Sequence, residues 1–420
     1  MLVRHHVSRL LCGLLLAFGA AAVAGTTPRA DEAADVPRVL NQGDPAEGTQ
    51  RLTLQELWRV GGEDDEENIF GLITQVRADA AGNIYLLDTQ LAHVEVYSPT
   101  GEHLRTLSRE GEGPGEVRLP IDLALLPQGR VALLQSFPGK LVVLEGDDTP
   151  VGTITPRFAD EQRGGLISLT DVLAGGDRLV LGGIRLTLGD NAQVRTSFIA
   201  AGDTSGVLTT VFLEQENTLD FSHLVIDEEA LYFPLYRHLA VGPDGRVYLP
   251  PERNRYRIDV YNPDGTLERI IERDVAPWRR DEEQRRRIEE QLDAQLRNVP
   301  PQMQVTSRLS DYEPMINSLQ FDDQGLLWVL AAPGINDHPD DVMAIYDVFE
   351  PDGRFLRRVA VPAIGDSDRD GLTFAGHGRL VLVKGLVDAA RSFQTGGAAA
   401  GNDDEEAAPM EVVCYGYEVR

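Results

Sequence analysis

The segment Asp366-Ser367-Asp368-Arg369-Asp370-Gly371 puts carboxylates at alternate positions ahead of a glycine. Alternate acids can converge on a hard cation where the chain turns sharply, and glycine permits such a turn. The spacing therefore predicts calcium held by Asp366, Asp368 and Asp370, against the plainer alternative of a solvated turn. The place of the EF-hand glutamate is taken by His377, so the segment is not an EF-hand. Asp337-His338-Pro339-Asp340-Asp341 is a second acidic cluster with an imidazole. The chain has no G-x-S-x-G, H-E-x-x-H or Walker loop, so no catalytic set announces itself. Gly111-Glu112-Gly113-Pro114-Gly115 is glycine-rich, but no helical pattern follows it to offer a phosphate its N-terminus. Tyr236, Arg237 and His238 stand together just before an apolar run, and Phe70 and Tyr312 hold comparable places elsewhere. These five are the candidate ligand-binding residues.

Those residues need elements to position them, and the elements repeat. A turn glycine followed by a short apolar run recurs at Gly82, Gly129, Gly176, Gly245, Gly325 and Gly378, the first two steps being 47 residues each. A polar residue and glycine supply the positive φ of a tight hairpin, and the run behind is β-branched and aromatic. Behind each lies a strand–turn–strand such as VEVYSPTGEHLRTL (94–107), IDVYNPDGTLERII (258–271) or YDVFEPDGRFLRRV (346–359), and ahead of each a short apolar strand. Four-stranded units at this period are the signature of propeller blades. The sixth unit stops after EVVCYGYEV (411–419), one strand short, and LQELWRVGG (54–62) matches the fourth strand of unit one. The expected fold is all-β: a six-bladed β-propeller closed by its N-terminal strand, a device that removes an open sheet edge.

Unit one, GNIYLLD…HVEVYSPTGEHLRTLSREGEGPGEV (82–117), resembles an NHL-type repeat, with Gly82, Asp88, Gly101 and Gly113-Pro114-Gly115-Glu116 in the family's places. Units four and five carry the matching Asn262-Pro263-Asp264-Gly265 and Glu350-Pro351-Asp352-Gly353, and unit three is degenerate. The resemblance implies a secreted bacterial six-bladed propeller from about residue 52 to 420. It implies little about function, because propellers serve as binding scaffolds, lyases and lactonases alike. Amidating lyases of this kind hold zinc by dispersed histidines, and His93, His223, His238, His338 and His377 are dispersed here. His93 replaces the family's usual arginine.

The long connections are of two kinds only. Between second and third strands lie 184–194, 331–342 and 385–410, and between units lie 108–120, 157–167, 214–235 and 272–315. In a propeller both kinds share one face, around the channel mouth, and one-sided variation marks a binding face. The 272–315 insertion, between blades four and five, carries a helix within about 278–300, capped by Asp281 or a neighbour and showing Ile288, Leu292 and Leu296 on one stripe. Residues 395–409 (TGGAAAGNDDEEAAP) read as a disordered acidic loop.

Residues 1–9 are basic, 10–24 are apolar, and Ala22-Val23-Ala24 fits a signal-peptidase site. Residues 1–24 are thus expected to be a signal peptide, 25–51 a flexible segment and 52–420 one propeller, secreted or periplasmic, with no membrane span after cleavage. Cleavage removes Arg4 and Arg9 and no acid, taking the net charge from −28 to −30. Such acidity disfavours nucleic acid. Two cysteines, one of them inside the leader, exclude a disulfide framework. The expectation is a monomeric, exported propeller that binds a protein or a small molecule at its loop-rich rim. The alternative is a metal-assisted lyase or lactonase with its ion at the channel mouth.

Overall fold

The computed structural model describes residues 36–65, 68–160, 163–176, 178–189, 192–220, 222–236, 238–297, 299, 303–394 and 409–420. The expected signal peptide lies outside the described residues, as does all but residue 409 of the expected acidic loop.

Antiparallel hairpins build nearly everything. The first sheet runs Ile73–Ala78, Ile84–Asp88, His93–Tyr97, His103–Leu107. The second runs Pro120–Leu126, Arg130–Gln135, Lys140–Leu144, Pro150–Ile154. The third runs Leu166–Gly175, Arg178–Leu188, Ala192–Asp203, Val207–Asp220, with Arg157–Phe158 added in parallel at its outer edge. The fourth runs Ala240–Val241, Val247–Leu249, Arg257–Tyr261, Leu267–Arg273. The last sheet has eight strands: Ile316–Phe321, Leu327–Ala331, Val342–Phe349, Phe355–Pro362, Thr49–Gly61, Glu411–Val419, Arg379–Lys384, Gly371–Gly376. All six turn glycines named above have φ between 63° and 82°, the left-handed region that the hairpins require. Asx turns reinforce several of them. Asp79 and Asp322 each accept two backbone N–H groups across the turn, and Asp322 also takes the Trp328 indole N–H at 2.9 Å.

The arrangement is propeller-like. The innermost strand of the second sheet lies beside those of the first and third, that of the fourth beside those of the third and Ile316–Phe321, and that of the first beside Gly371–Gly376. Apolar clusters fill the spaces between successive sheets. Val94, Leu107, Leu123 and Leu133 join first to second; Leu134, Leu169, Phe198 and Leu208 join second to third. The two halves of the eight-stranded sheet also pack face to face, through Trp328, Tyr346 and Val359 against Leu380, Leu382 and Val413. The strand Thr49–Gly61 links these halves. It pairs in parallel with Arg358–Ala360 at its start and antiparallel with Glu411–Val419 over the rest.

Two expectations need correction. Residues 25–51 are not flexible throughout, because Arg38–Asn41 pairs in parallel with Ile270–Arg273 on the fourth sheet. Asn41 ties it to the neighbouring sheet, accepting from the Phe355 N–H at 2.8 Å and donating to Gly353 O at 3.0 Å. In the third sheet, 184–194 is largely not a loop. Its two middle strands continue as one long hairpin, from Arg178↔Asp203 to Leu188↔Gln193.

The insertions do sit at one end of the sheets. Helix α1 (Glu282–Leu296) begins with a capping box between Asp281 and Gln284. Leu296 packs on Leu219 and Leu224, while Ile288 and Leu292 are half-buried. Helix α2 (Ala332–Asn336) receives a hydrogen bond from Gln284 of α1, Nε2 to Asn336 Oδ1 at 2.8 Å. Helix α3 (Leu386–Gln394) is tied to the 366–370 turn by the Val387 N–H to Arg369 O, 3.0 Å, and by the Arg369–Asp388 ion pair, also 3.0 Å. A buried charge cluster anchors the α1 insertion. Glu228 pairs with Arg253 at 2.6 Å and Arg280 at 2.5 Å and accepts the Ser310 N–H, while Arg280 also reaches Glu313 at 3.2 Å.

Candidate functional site

In four of the innermost strands the normally regular hairpin is interrupted. In the first sheet Ile73 pairs with Asp88 and Gln75 with Leu87, so Thr74 is extra. The same step occurs at Ile121 in the second sheet, Thr170 in the third and Asn317 in the eight-stranded sheet. A β-bulge leaves one residue unpaired and re-aims the side chains around it. Here four bulges at one structural level turn Gln75, Ile121, Thr170, Asp171, Asn317 and Ser318 toward a common cavity of about 130 Å³. The fourth sheet has too short an inner strand for a bulge. Its share comes from Tyr236, held at φ 58°. The cavity wall is completed by Leu330, Met343, Ala344, Tyr346 and Leu372. Its mouth is set by Ile335 of α2, Leu386 of α3, and Ser367 and Asp370 of the turn between them. The cavity thus opens at the end that carries the insertions.

The polar groups are wired before any ligand arrives. Asp171 Oδ2 accepts from Thr170 Oγ1 at 2.7 Å and from the Tyr236 N–H at 3.0 Å, which fixes the left-handed Tyr236 against the wall. Just behind, Asp122 accepts from Arg77 Nη2 at 3.0 Å, the Val172 N–H at 2.9 Å and the Leu123 N–H at 2.8 Å. Burial pushes the Asp122 carboxyl up to about 6, against the pull of Arg77 and the Val172 N–H, with the Asp171 charge adding to the rise. Among the described lining residues there are two carboxylates, Asp171 and Asp370, and no Lys, Arg or His.

Asp122 makes a pH signature. Its folded-state value lies above the ordinary 3.8, so between about pH 4 and pH 6 the native state holds a proton that the unfolded chain has lost. This group's contribution to stability is full below about pH 4 and is lost as pH rises through about 6, by at most about 3 kcal/mol. Urea midpoints measured across pH 4–7 should show this decline in the wild type, and Asp122→Asn should remove it.

Of the residues expected to line the mouth, Tyr236 lies in the cavity wall. Arg237 lies outside the described residues. His238 is turned to its own chain, with Nδ1 at 2.5 Å from Leu235 O and its ring edge-on to Tyr232. Tyr312 is half-buried in the α1 insertion, where its carbonyl accepts from Arg253 at 2.8 Å. Phe70 is a core residue, packed with Trp58, Leu72 and Ile73 and lying against Gly61. Apolar side chains ahead of the inner strands turn into the space between sheets, which is why Phe70 misses the mouth.

The calcium expectation also meets a correction. Among the described residues no three His, Cys, Asp or Glu side chains are grouped to hold a metal ion. The carboxylate of Asp370 is spent on backbone, accepting the Asp366 N–H at 2.8 Å and the Gly385 N–H at 2.9 Å. Asp366 Oδ1 accepts the Asp368 N–H at 2.9 Å. The alternation of acids builds the turn itself. Burial and the Asp366 charge push Asp368 up to about 7, eased by Arg287 of α1.

Sequence reasoning missed Gln75, Asp171, Asn317 and Ser318. A signal was present: the inner strands open with ITQ, PID, LTD and INS, each with a polar residue two places after an apolar residue or proline. Aligned across units, that recurring polar step marks the bulge.

No family model matches the chain, and no curated protein matches its sequence. Among solved structures, a protein from Bacteroides fragilis inferred to be exported is similar over 91% of this chain and 99% of its own, at 11% identity and a TM-score of 0.49. A gluconolactonase from Xanthomonas campestris is similar over 86% and 98%, at 12% and 0.41. The calcium-binding protein regucalcin from Agrobacterium tumefaciens is similar over 88% and 96%, at 13% and 0.39. These are β-propeller-type proteins, and at such low similarity they carry no inference about chemistry.

Proposed function

We propose that the chain is an exported six-bladed propeller that binds a small ligand in its axial cavity, through the end that carries the insertions. In this reading the eight-stranded sheet is two blades, joined because Thr49–Gly61 serves as outer strand to one and touches the edge of the other. Support comes from the face-to-face packing of its halves and from the six core clusters that lie between successive blades. Export rests on the leader-like residues 1–24. No helix among the described residues is long and apolar enough to cross a membrane.

One observation carries the binding assignment. Four inner strands break their ladders at the same level, and the residues so released converge on one cavity. Bulges cost ladder hydrogen bonds, and their recurrence around a single cavity has a reason if the cavity is used. The wall is mostly apolar, with a few fixed polar groups, which is the pattern of a small-molecule site. Two carboxylates, with no base among the described lining residues, favour a ligand with an apolar body and a positive charge.

The assignment is tested by thermal shift with small alkyl and aryl amines and their carboxylate counterparts. Amines should raise the melting temperature by mass action and carboxylates should not. Ser318→Phe, which fills the cavity from a half-buried position, should abolish the amine effect. Equal stabilisation by both classes, or an amine effect that survives Ser318→Phe, would overturn it.

A further inference from the structure

At the end where the cavity opens, the described helices cover one half of the molecule more than the other. There α1, α2 and α3 lie over the fourth and the eight-stranded sheets, and Leu296 of α1 also reaches Leu219 on the outer strand of the third. On the first three sheets the corresponding connections carry Ile69, Leu91, Leu119, Phe137, Leu166 and Leu188, between 40% and 75% exposed. The remaining exposed large apolar side chains among the described residues lie on outer strands (Leu40, Leu57, Leu104, Val151) or on Gln304–Arg308 of the α1 insertion, which pairs in parallel with His223–Asp227 (Val305).

The six sit on neighbouring connections, which hydrogen bonds join one to the next. The Gly71 N–H donates to Asp88, ahead of Leu91, at 2.7 Å, and Thr89 Oγ1 donates to Pro120 O, beside Leu119, at 2.7 Å. The Arg118 N–H donates to Gln135 Oε1 at 3.1 Å, two residues from Phe137, and the Gly139 N–H donates to Ile167 O at 2.9 Å. Leu166 pairs with Leu186, in the same hairpin as Leu188. An exposed apolar arc of this extent marks an interaction surface. The arc also carries backbone strain. Leu119 sits at φ 44°, a conformation unfavourable for a bulky residue and typical of functional positions.

Charge selects the occupant. Glu63, Asp64, Glu110, Glu112 and Asp160 stand exposed in these connections. Of the arginines among them, Arg109 pairs with Glu116, Arg118 with Glu112 and Arg163 with Glu214, while Arg157 stands exposed, so that the acids still outnumber the arginines among the described residues. The arc's margin is therefore net negative. A second copy would bring like charges together, and an anionic lipid surface would be repelled. We infer that this half of the cavity-bearing end, with its exposed apolar side chains, is a docking surface for a basic partner polypeptide that presents apolar side chains.

The test uses a synthetic Leu/Lys peptide of amphipathic helical pattern, with Leu/Glu and Ser/Lys peptides of the same pattern, binding read by calorimetry at physiological salt. The Leu/Lys peptide should bind at least about tenfold more tightly than either control. Ile69→Ser/Leu166→Ser/Leu188→Ser should lose at least about tenfold, while Leu104→Ser/Val151→Ser on the outer strands should not. Leu119→Gly should weaken binding with the melting temperature unchanged or raised, since glycine relieves the strained φ. Absence of saturable Leu/Lys binding, Ser/Lys binding equally well, or a triple variant that binds like wild type would each overturn the inference. So would a concentration-dependent dimer, or adsorption to anionic vesicles, that the triple variant removes.

Discussion

A chain lacking residues 36–62 should show no cooperative unfolding transition, by circular dichroism in urea or on heating. The strand Thr49–Gly61 pairs with Arg358–Ala360 at its start and with Glu411–Val419 from Leu52 onward. Its removal exposes the edges of two ladders at once, which invites aggregation. It also removes Leu52, Trp58 and Val60 from two core clusters. Trp58 stacks on Tyr97 with ring centroids 5.7 Å apart, and the Gly101 turn closes so tightly on it that an added Cβ would lie 2.6 Å from the Trp58 Cβ. Trp58→Ala alone should cost about 3–5 kcal/mol. Together these losses exceed the usual margin of about 5–15 kcal/mol. A truncated chain that melts near the wild-type temperature would contradict the closure.

Glu228→Ala should lower stability by about 3–5 kcal/mol, because it takes from the buried Arg253 its ion-pair partner and leaves the buried Arg280 with Glu313 alone. Arg253 and Arg280 are almost fully buried, and Glu228 joins both to the Ser310 N–H. Burial pushes the Glu228 carboxyl upward, but the Arg280 hydrogen bonds and the charges of Arg253 and Arg280 outweigh it and hold the group at about 2. Its folded-state value lies below the ordinary 4.5. The stabilisation is therefore complete above about pH 4.5 and is lost as pH falls toward about 2. Urea unfolding of wild type and variant over pH 2–6 checks both parts: the two curves should converge on acidification. Because this cluster anchors the insertion that carries α1, the same variant should loosen α1 first, read as faster amide exchange there than in the sheets. A stability difference that does not shrink in acid would place the effect elsewhere.

The repeat was legible because it is written in local chemistry. Gly82, Gly129, Gly176, Gly245, Gly325 and Gly378 all occupy positive φ, and the apolar runs behind them became strands. Asp281 caps α1 through an interaction only three residues long. The terminal match between 54–62 and a fourth strand pointed to the pairing with 411–419. Such features depend on side-chain period and turn stereochemistry, which neighbours in the chain decide among themselves.

The tertiary structure alone decided which residues meet. Phe70 and Tyr236 both precede inner strands, yet Phe70 turns into the core while Asp171, 65 residues away, holds Tyr236 at the cavity. The acids at 366–370 look like cation ligands until the Asp366 and Gly385 N–H groups claim Asp370. Glu228, Arg253, Arg280 and Glu313 form one cluster although each is solvated and ordinary when read singly. The strand Arg38–Asn41 completes a sheet whose other members begin some 200 residues later. In each case the partner is remote in sequence, and burial decides the outcome: a polar group taken from water must find whatever donor or acceptor the packed sheets bring to it. Periodicity encodes a strand and its faces, whereas the level at which four strands bulge into one cavity exists only once the sheets stand side by side.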